Sequence, residues 1–151
     1  MKKAVWGPIV WKTLHCITLK VKDEEFINER EQIIQIITSI CSNLPCPQCS
    51  SHSMGIIRRY KLSLVKTKTD LIKFVYMMHN HVNKRLNKKN YTFQDIEHYN
   101  NYNIKTVLSN YYTMNINMKQ GEKMMLYSYH RRQFLKLFYN YFNNNISKFN
   151  Q

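Results

Sequence analysis

Glycine and proline are scarce, with three of each in 151 residues. A turn-rich β-sandwich or barrel needs more punctuation than that, so the composition favours helices and excludes collagen-like and Pro-rich linker architectures. Acidic side chains are also few, nine against 23 Lys and Arg, leaving a formal net charge of +14. That excess points to an anionic partner: nucleic acid, an anionic surface or a phosphate-bearing cofactor. It is not a basic tail, because residues 1–90 carry +10 and residues 91–151 carry +4. The same cations would also simply solvate an ordinary surface. Four cysteines are too few for a disulfide-scaffolded miniprotein of this length. No run approaches 18 consecutive apolar residues, so no membrane-spanning helix is expected. The opening Met-Lys-Lys-Ala-Val-Trp-Gly-Pro lacks the apolar stretch of a secretory leader. The 44% hydrophobic content suffices for a core and excludes global disorder, and the length fits one domain with or without a tail.

Apolar spacing lays out the helices. A first is expected from Gly7-Pro8, with Pro8 in the first turn, through Ile9, Trp11, Leu14, His15 and Thr18. A second runs from about Glu24 to Asn43. Phe26, Ile33, Ile37, Ile40 and Cys41 recur at three- and four-residue steps there, and acids cluster in the first turn. Pro45 stops it, and Cys46-Pro-Gln-Cys49 opens a third helix ending near Tyr60. After a loop, Thr69 is the expected N-cap of a fourth helix to about Asn87, striped by Leu71, Val75, Met78, Val82 and Leu86. Thr92 with Asp95 has capping-box spacing and starts a short fifth helix towards His98. Asn and Tyr blur the pattern from 99 to 118. Glu122 to Phe142 again reads as helix, with Met125, Tyr129, Phe134, Leu137, Phe138 and Tyr141 as a loose stripe, and residues from Asn143 onward are expected to fray. The expected division is an all-helical domain over 1–100 and an Asn/Tyr-rich helical extension over 101–151.

A C-x-x-C at a helix N-terminus has a physical logic. The unpaired N–H groups and the helix dipole favour a thiolate, and two cysteines on one turn can close into a disulfide and reopen. Zinc uses the same spacing. Cys46, Cys49 and His52 would supply three ligands and His79 or His81 a fourth, but no second pair completes the pattern, so no metal is expected. The Pro-Gln interior also looks like a glutaredoxin site, although in that fold the motif follows a strand and here the preceding twenty residues have helical period.

Three motifs in order carry more. Trp6 to His15 reads W-G-x-x-x-W-x-x-x-H, Leu44 to His52 reads L-P-C-x-x-C-x-x-H, and His79 to Lys89 reads H-N-x-V-N-x-R-L-x-K-K. In this order and at these separations, over roughly residues 4–100, the chain resembles the Erv/ALR family of FAD-linked sulfhydryl oxidases. It is most like the small versions carried by large cytoplasmic DNA viruses. The resemblance implies an all-α fold, a four-helix bundle with a short fifth helix holding FAD at its mouth. It implies that Cys49 lies against the flavin and that Cys46 is the outer cysteine exchanging with substrate. It implies that Trp6, Trp11 and His15 line the pocket from the first helix, that His52 flanks it from the third, that His79, Asn80 and Asn83 contact the flavin or adenine, and that Lys88 and Lys89 neutralise the pyrophosphate. Taken singly, the tryptophans would be core packing, the histidines hydrogen-bonded core residues and the lysines a solvated helix end.

The family pattern is not complete. No Cys follows Cys49 to tie the last helix down, and the late Trp near adenine is missing, with Tyr99 or Tyr102 in its place. No second dithiol is present, which favours direct oxidation of a partner over an internal relay. Cys16 and Cys41 read as buried core thiols or as a link between the first two helices. The implied partners are protein dithiols, a thioredoxin-like carrier or virion proteins among them, together with O2 and a second copy of the chain in a homodimer. The implied location is host cytoplasm or virion, with the mitochondrial intermembrane space as the cellular alternative. A small helical nucleic-acid-binding protein is the other reading of the charge and aromatics, though no recognised nucleic-acid motif accompanies it. The aromatic-rich 127–142 segment reads as a helix packed on the bundle or across a dimer, or else as a docking surface. If it packs, truncation after Asn100 is expected to lower stability or solubility while leaving FAD and the dithiol reaction in place.

Overall fold

Seven α-helices and no strand make up the described part of the chain. The structure, a computed structural model, describes residues 1–118 and 125–151. The helices are α1 (Lys3–Lys20), α2 (Asp23–Ser42), α3 (Pro47–Arg59), α4 (Lys68–Arg85), α5 (Phe93–Glu97), α6 (Ile104–Ile116) and α7 (Met125–Asn145). Short 3₁₀ turns cover Leu62–Leu64, His98–Asn101 and Ile146–Lys148. The all-helical fold with a core bundle, a short helix and a helical C-terminal extension is the one expected from the sequence. None of these helices is long and apolar enough to cross a membrane.

At the centre is α1. Six consecutive residues from Thr13 to Thr18 are buried, which covers the whole circumference of a helix. It packs against α2, α4, α6 and the His98–Asn101 turn, while α2 packs against α3. Pro8 does not open α1, which begins five residues earlier at Lys3. In the second turn Pro8 removes only the bond to the Ala4 carbonyl. Asp23, Glu24 and Glu25 occupy the first turn of α2, at the positive end of its dipole.

The N-cap of α4 is Thr67, not Thr69: its hydroxyl accepts the Asp70 N–H at 3.0 Å. Thr67 places an acid at the third helical position, which Thr69 could not do. The helix ends with Asn87 in the left-handed region at φ 56°. The Asn87 N–H donates to the Lys84 carbonyl at 3.2 Å and the Lys88 N–H to the Asn83 carbonyl at 2.8 Å. That pair of bonds is a Schellman closure, tolerated by Asn without the strain a bulkier residue would carry. At α5 the box is complete, with Thr92 accepting the Asp95 N–H and Asp95 accepting the Thr92 N–H.

Two further departures concern the chain after residue 100. The Asn/Tyr-rich stretch contains α6, capped by Asn103, whose side chain accepts the Thr106 N–H at 3.1 Å. Ile104, Val107, Leu108, Tyr111 and Met114 form its buried face. The residues from Asn143 do not fray. Phe149 is buried against the core and bridges Val21 in antiparallel fashion. The Lys22 N–H donates to the Lys148 carbonyl, the Asn150 N–H to the Lys20 carbonyl, and the Lys148 ammonium pairs with the buried Glu29 carboxylate. Of the helix expected from Glu122, residues 122–124 and the side chains of Met125 and Leu126 lie outside the described residues. Its inward face is Arg131, Phe134, Leu135, Phe138 and Phe142, whereas Tyr129 and Leu137 are exposed. A single hydrophobic cluster runs from Trp6 to Phe149 across residue 100.

Candidate active site

The α2–α3 junction creates the dithiol. Pro45 and Pro47 flank Cys46, and Pro47 takes the first helical position, where its missing N–H costs nothing. Cys46 is therefore the N-cap of α3, and its sulfur accepts the Cys49 N–H at 3.2 Å. Cys46 and Cys49 form a disulfide with Cα atoms 5.2 Å apart. An N–H aimed at Cys46 Sγ and the positive end of the helix dipole both favour a thiolate there once the bond opens. Cys16 and Cys41 are free and buried, so no bond links the first two helices. Burial pushes the Cys16 thiol up to about 11 and the Cys41 thiol up to about 12, which leaves both unreactive near neutrality.

Beside the dithiol lies a cavity of about 530 Å³, walled by α1, α3, α4 and the segment from Lys88 to Tyr102. Of the residues expected at a site, Trp6, Trp11, Cys49, His52, His79, Asn83 and Lys88 line it. The other four are placed around it. Cys46 is on the far side of its disulfide. Lys89 is exposed. Asn80 grips the backbone of Tyr91 with both ends of its amide, donating to the carbonyl at 2.9 Å and accepting the N–H at 2.8 Å. It thereby holds the turn that carries Lys88 and Tyr91 to the cavity wall. His15 is fully buried behind His79.

His15 and His79 belong to an aromatic stack. The His79 ring lies flat on Trp11, centroids 3.9 Å apart and planes within 6°, and the His15 ring stacks on Tyr99 at 4.5 Å. His15 Nε2 and His79 Nδ1 are 2.8 Å apart, and His15 Nδ1 is buried with no partner. A lone buried acceptor costs less than a lone buried N–H, so His15 Nε2–H donates to His79 Nδ1. His79 then carries its own proton on Nε2, the nitrogen not engaged by His15. Burial first, and the neighbouring imidazole second, hold His15 down to about 3. Burial, then Lys88, holds His79 down to about 4. Both rings are neutral at pH 7. His52 is also lowered, by burial and then by Arg85, His81 and Lys3, and its Nε2 is buried without a partner.

The electrostatics of the cavity are one-sided. Lys3, Lys12, Arg85 and Lys88 line it and no Asp or Glu does. Lys12 Nζ sits 4.1 Å over the Tyr102 ring. Tyr91, Tyr99 and Tyr102 complete the wall, so both candidates for the missing Trp are present. Lys3, Lys12 and Tyr91 were not singled out from the sequence, and Arg85 was seen within a motif but given no role. Their common signal is charge or an aromatic ring within a turn of a motif residue. Flat rings, four cations without a counter-charge and the unpartnered Nε2 of His52 suit an occupant with planar ring systems and phosphates, as FAD has. Among the described residues, no group of three or more His, Cys, Asp or Glu side chains gathers as a metal site.

The sequence profile of the Erv1 / Alr family matches residues 8–103. Over 84 residues the chain is 36% identical to a FAD-linked sulfhydryl oxidase of African swine fever virus, an overlap of 56% of this chain and 70% of that protein. It is 34% identical over 84 residues to the protein of the same name from a second isolate of that virus, with the same coverage. To the FAD-linked sulfhydryl oxidase ERV2 of Saccharomyces cerevisiae it is 31% identical over 91 residues, 60% of this chain and 45% of that protein. No solved structure matches at a significant level.

Proposed function

The chain belongs to the Erv1 / Alr family, and from that premise we propose that it is an FAD-dependent thiol oxidase that forms disulfide bonds in protein substrates. The observation that carries the proposal is a helix-capping disulfide whose inner sulfur, Cys49, lines a cationic, ring-walled cavity while Cys46 does not. A substrate thiolate attacks Cys46 Sγ, the Cys46–Cys49 bond breaks, and Cys49 leaves as a thiolate. A second substrate thiolate then attacks the substrate sulfur of the mixed disulfide, forming the substrate disulfide and expelling Cys46. The Cys49 N–H and the helix dipole stabilise Cys46 as that leaving group. The electron pair and the protons lost by the substrate are then held by the Cys46–Cys49 dithiol. FAD, when bound, would supply the acceptor for that pair and the chemistry by which O2 becomes H2O2.

Trp11, His79 and the tyrosines would hold the flat rings, Lys88 with Lys12 and Arg85 the phosphates, and Asn80 and His15 would act through Tyr91 and His79. Residues 1–100 form the oxidase part in this reading and 101–151 an extension of it. The viral relatives support a role in maturing virus proteins in host cytoplasm or virion. A homodimer paired through α1 and α2 fits the exposed Val5 and Ile27 on those helices. A sedimentation mass near 18 kDa at micromolar concentration would reject it.

The functional test is direct. Purified protein should show a flavin absorption band and release H2O2 as it oxidises dithiothreitol. Cys49→Ser should keep the band and lose the oxidation. A colourless protein, or a Cys49→Ser variant that still oxidises thiols, would overturn the reading.

A further inference from the structure

The segment that carries the dithiol is held from outside the family-matched residues. Leu44 and Ser50 flank it on either side. The Leu44 N–H donates to Ser50 Oγ at 2.9 Å, and Ser50 Oγ and Tyr127 Oη, from α7, are 2.8 Å apart. The Tyr127 hydroxyl also donates to the Leu44 carbonyl. Tyr127 has one hydroxyl proton and Leu44 O takes it, so the Ser50–Tyr127 proton must come from Ser50. The bonds therefore run in one direction around a closed ring: Leu44 N–H to Ser50, Ser50 O–H to Tyr127, Tyr127 O–H to Leu44 C=O. Each hydroxyl gives once and receives once, an arrangement in which every bond strengthens the next. The Ser50 N–H closes the segment again by donating to the Cys46 carbonyl at 3.0 Å. Ser50 is buried and Tyr127 half-buried, which shields the ring from competing water.

We propose that Tyr127 is a positioning residue for the Cys46–Cys49 pair, the point at which the C-terminal extension tunes the redox equilibrium of the dithiol. It rests on the oxidase reading, in which that pair opens and closes in each cycle. The ring is seen with the disulfide closed. Opening the bond and moving Cys46 towards a substrate sulfur works against a grip on the peptide two residues before it. The ring therefore stabilises the disulfide relative to the dithiol. Burial raises the Tyr127 phenol above its ordinary value, which keeps it protonated and able to donate across the physiological range.

Full-length protein equilibrated in dithiothreitol buffers of graded potential, then denatured and alkylated, reports the equilibrium by mass. The oxidised form takes label on Cys16 and Cys41 only, and the reduced form on all four cysteines. Tyr127→Phe keeps the ring packing and removes the hydroxyl. It should shift the equilibrium towards the dithiol by about threefold to tenfold, the range of one net hydrogen bond. Ser50→Ala should shift it in the same direction, and the double variant by less than the product of the two, because the bonds act as one unit. Tyr129→Phe, on the exposed face of the same helix, should leave it unchanged. A Tyr127→Phe protein that melts differently but keeps the wild-type equilibrium within about twofold would overturn the proposal, and so would full additivity with Ser50→Ala. The readout needs neither flavin nor O2, so failure of the oxidase reading and failure of this proposal are separate results.

Discussion

Residues 1–103 and residues 104–151 share one hydrophobic cluster but use polar groups in opposite ways. In the first region they are left with valence to spare. His52 Nε2 has no partner, and four cations face a cavity without an acid. In the second region they reach across and are met. Lys148 pairs with Glu29, the Asn150 N–H with Lys20, and Tyr127 with Leu44 and Ser50. Lys20 replies from the first region, its ammonium donating to the Asn100 and Gln151 carbonyls at 2.9 Å each. Tyr141 departs from this pattern, its hydroxyl buried beside the Glu29 carboxylate. Unmet polar groups around a cavity mark where something else binds; met ones between segments mark a seam. The two regions should accordingly fail in different ways.

The largest effect is expected at the seam. Phe149→Ala removes a side chain that is 1% exposed and should cost about 3–5 kcal/mol. For a chain of this size that lowers the melting temperature by roughly 10 °C, while any flavin bound below the transition stays bound. Loss of flavin with an unchanged melting temperature would break the comparison.

Acid tests the site side. Unfolded, His15 and His79 take up protons as pH falls through about 6.5; folded, they stay neutral until about 3 and about 4. The unfolded state binds more protons in that window, so stability is complete above about pH 6.5 and declines below it. Denaturant titrations at pH 6.5 and 5.5 should differ by about 2 kcal/mol, and His79→Gln should flatten the dependence. A stability unchanged between those pH values would mean the imidazoles are not held neutral.

Smaller still, Lys88→Ala should weaken flavin binding about tenfold, with a shallower salt dependence. An affinity unchanged in low salt would remove Lys88 from the phosphate end. The least effect belongs to neither region's logic. Asp23 is almost fully exposed where it meets Lys68, and Asp23→Asn should move stability by less than about 1 kcal/mol in thermal melts.

What could be read in advance follows the range of the physics. Local devices were legible: the Thr92–Asp95 box, the acids opening α2, and the Cys46 cap, each complete within four residues. Errors of a turn came from competing local signals, as with Thr69 against Thr67 and Pro8 at a helix start. The α6 helix had its pattern, Ile104, Val107, Leu108 and Tyr111 behind an Asn103 cap, but the intervening Asn and Tyr masked it. The tail was illegible because its partners, Lys20, Val21 and Glu29, are more than a hundred residues away. At the site, the three motifs named the residues but not their rank. Only the fold shows that His15 stands behind His79, that Asn80 works on a backbone, and that Lys12 and Arg85 join the cationic rim.

The central position of α1 carries a kinetic consequence. The backbone amides of Leu14 to Thr18 are enclosed on every side, so no local fluctuation of α3, α5 or α7 alone can bring water to them. They should exchange hydrogen for deuterium only through global unfolding, and so report the full unfolding free energy. The amides at the exposed start of the same helix, Lys3 to Val5, should exchange through much smaller openings. The stretch of α1 that carries His15 is thus the last part of the molecule to come apart.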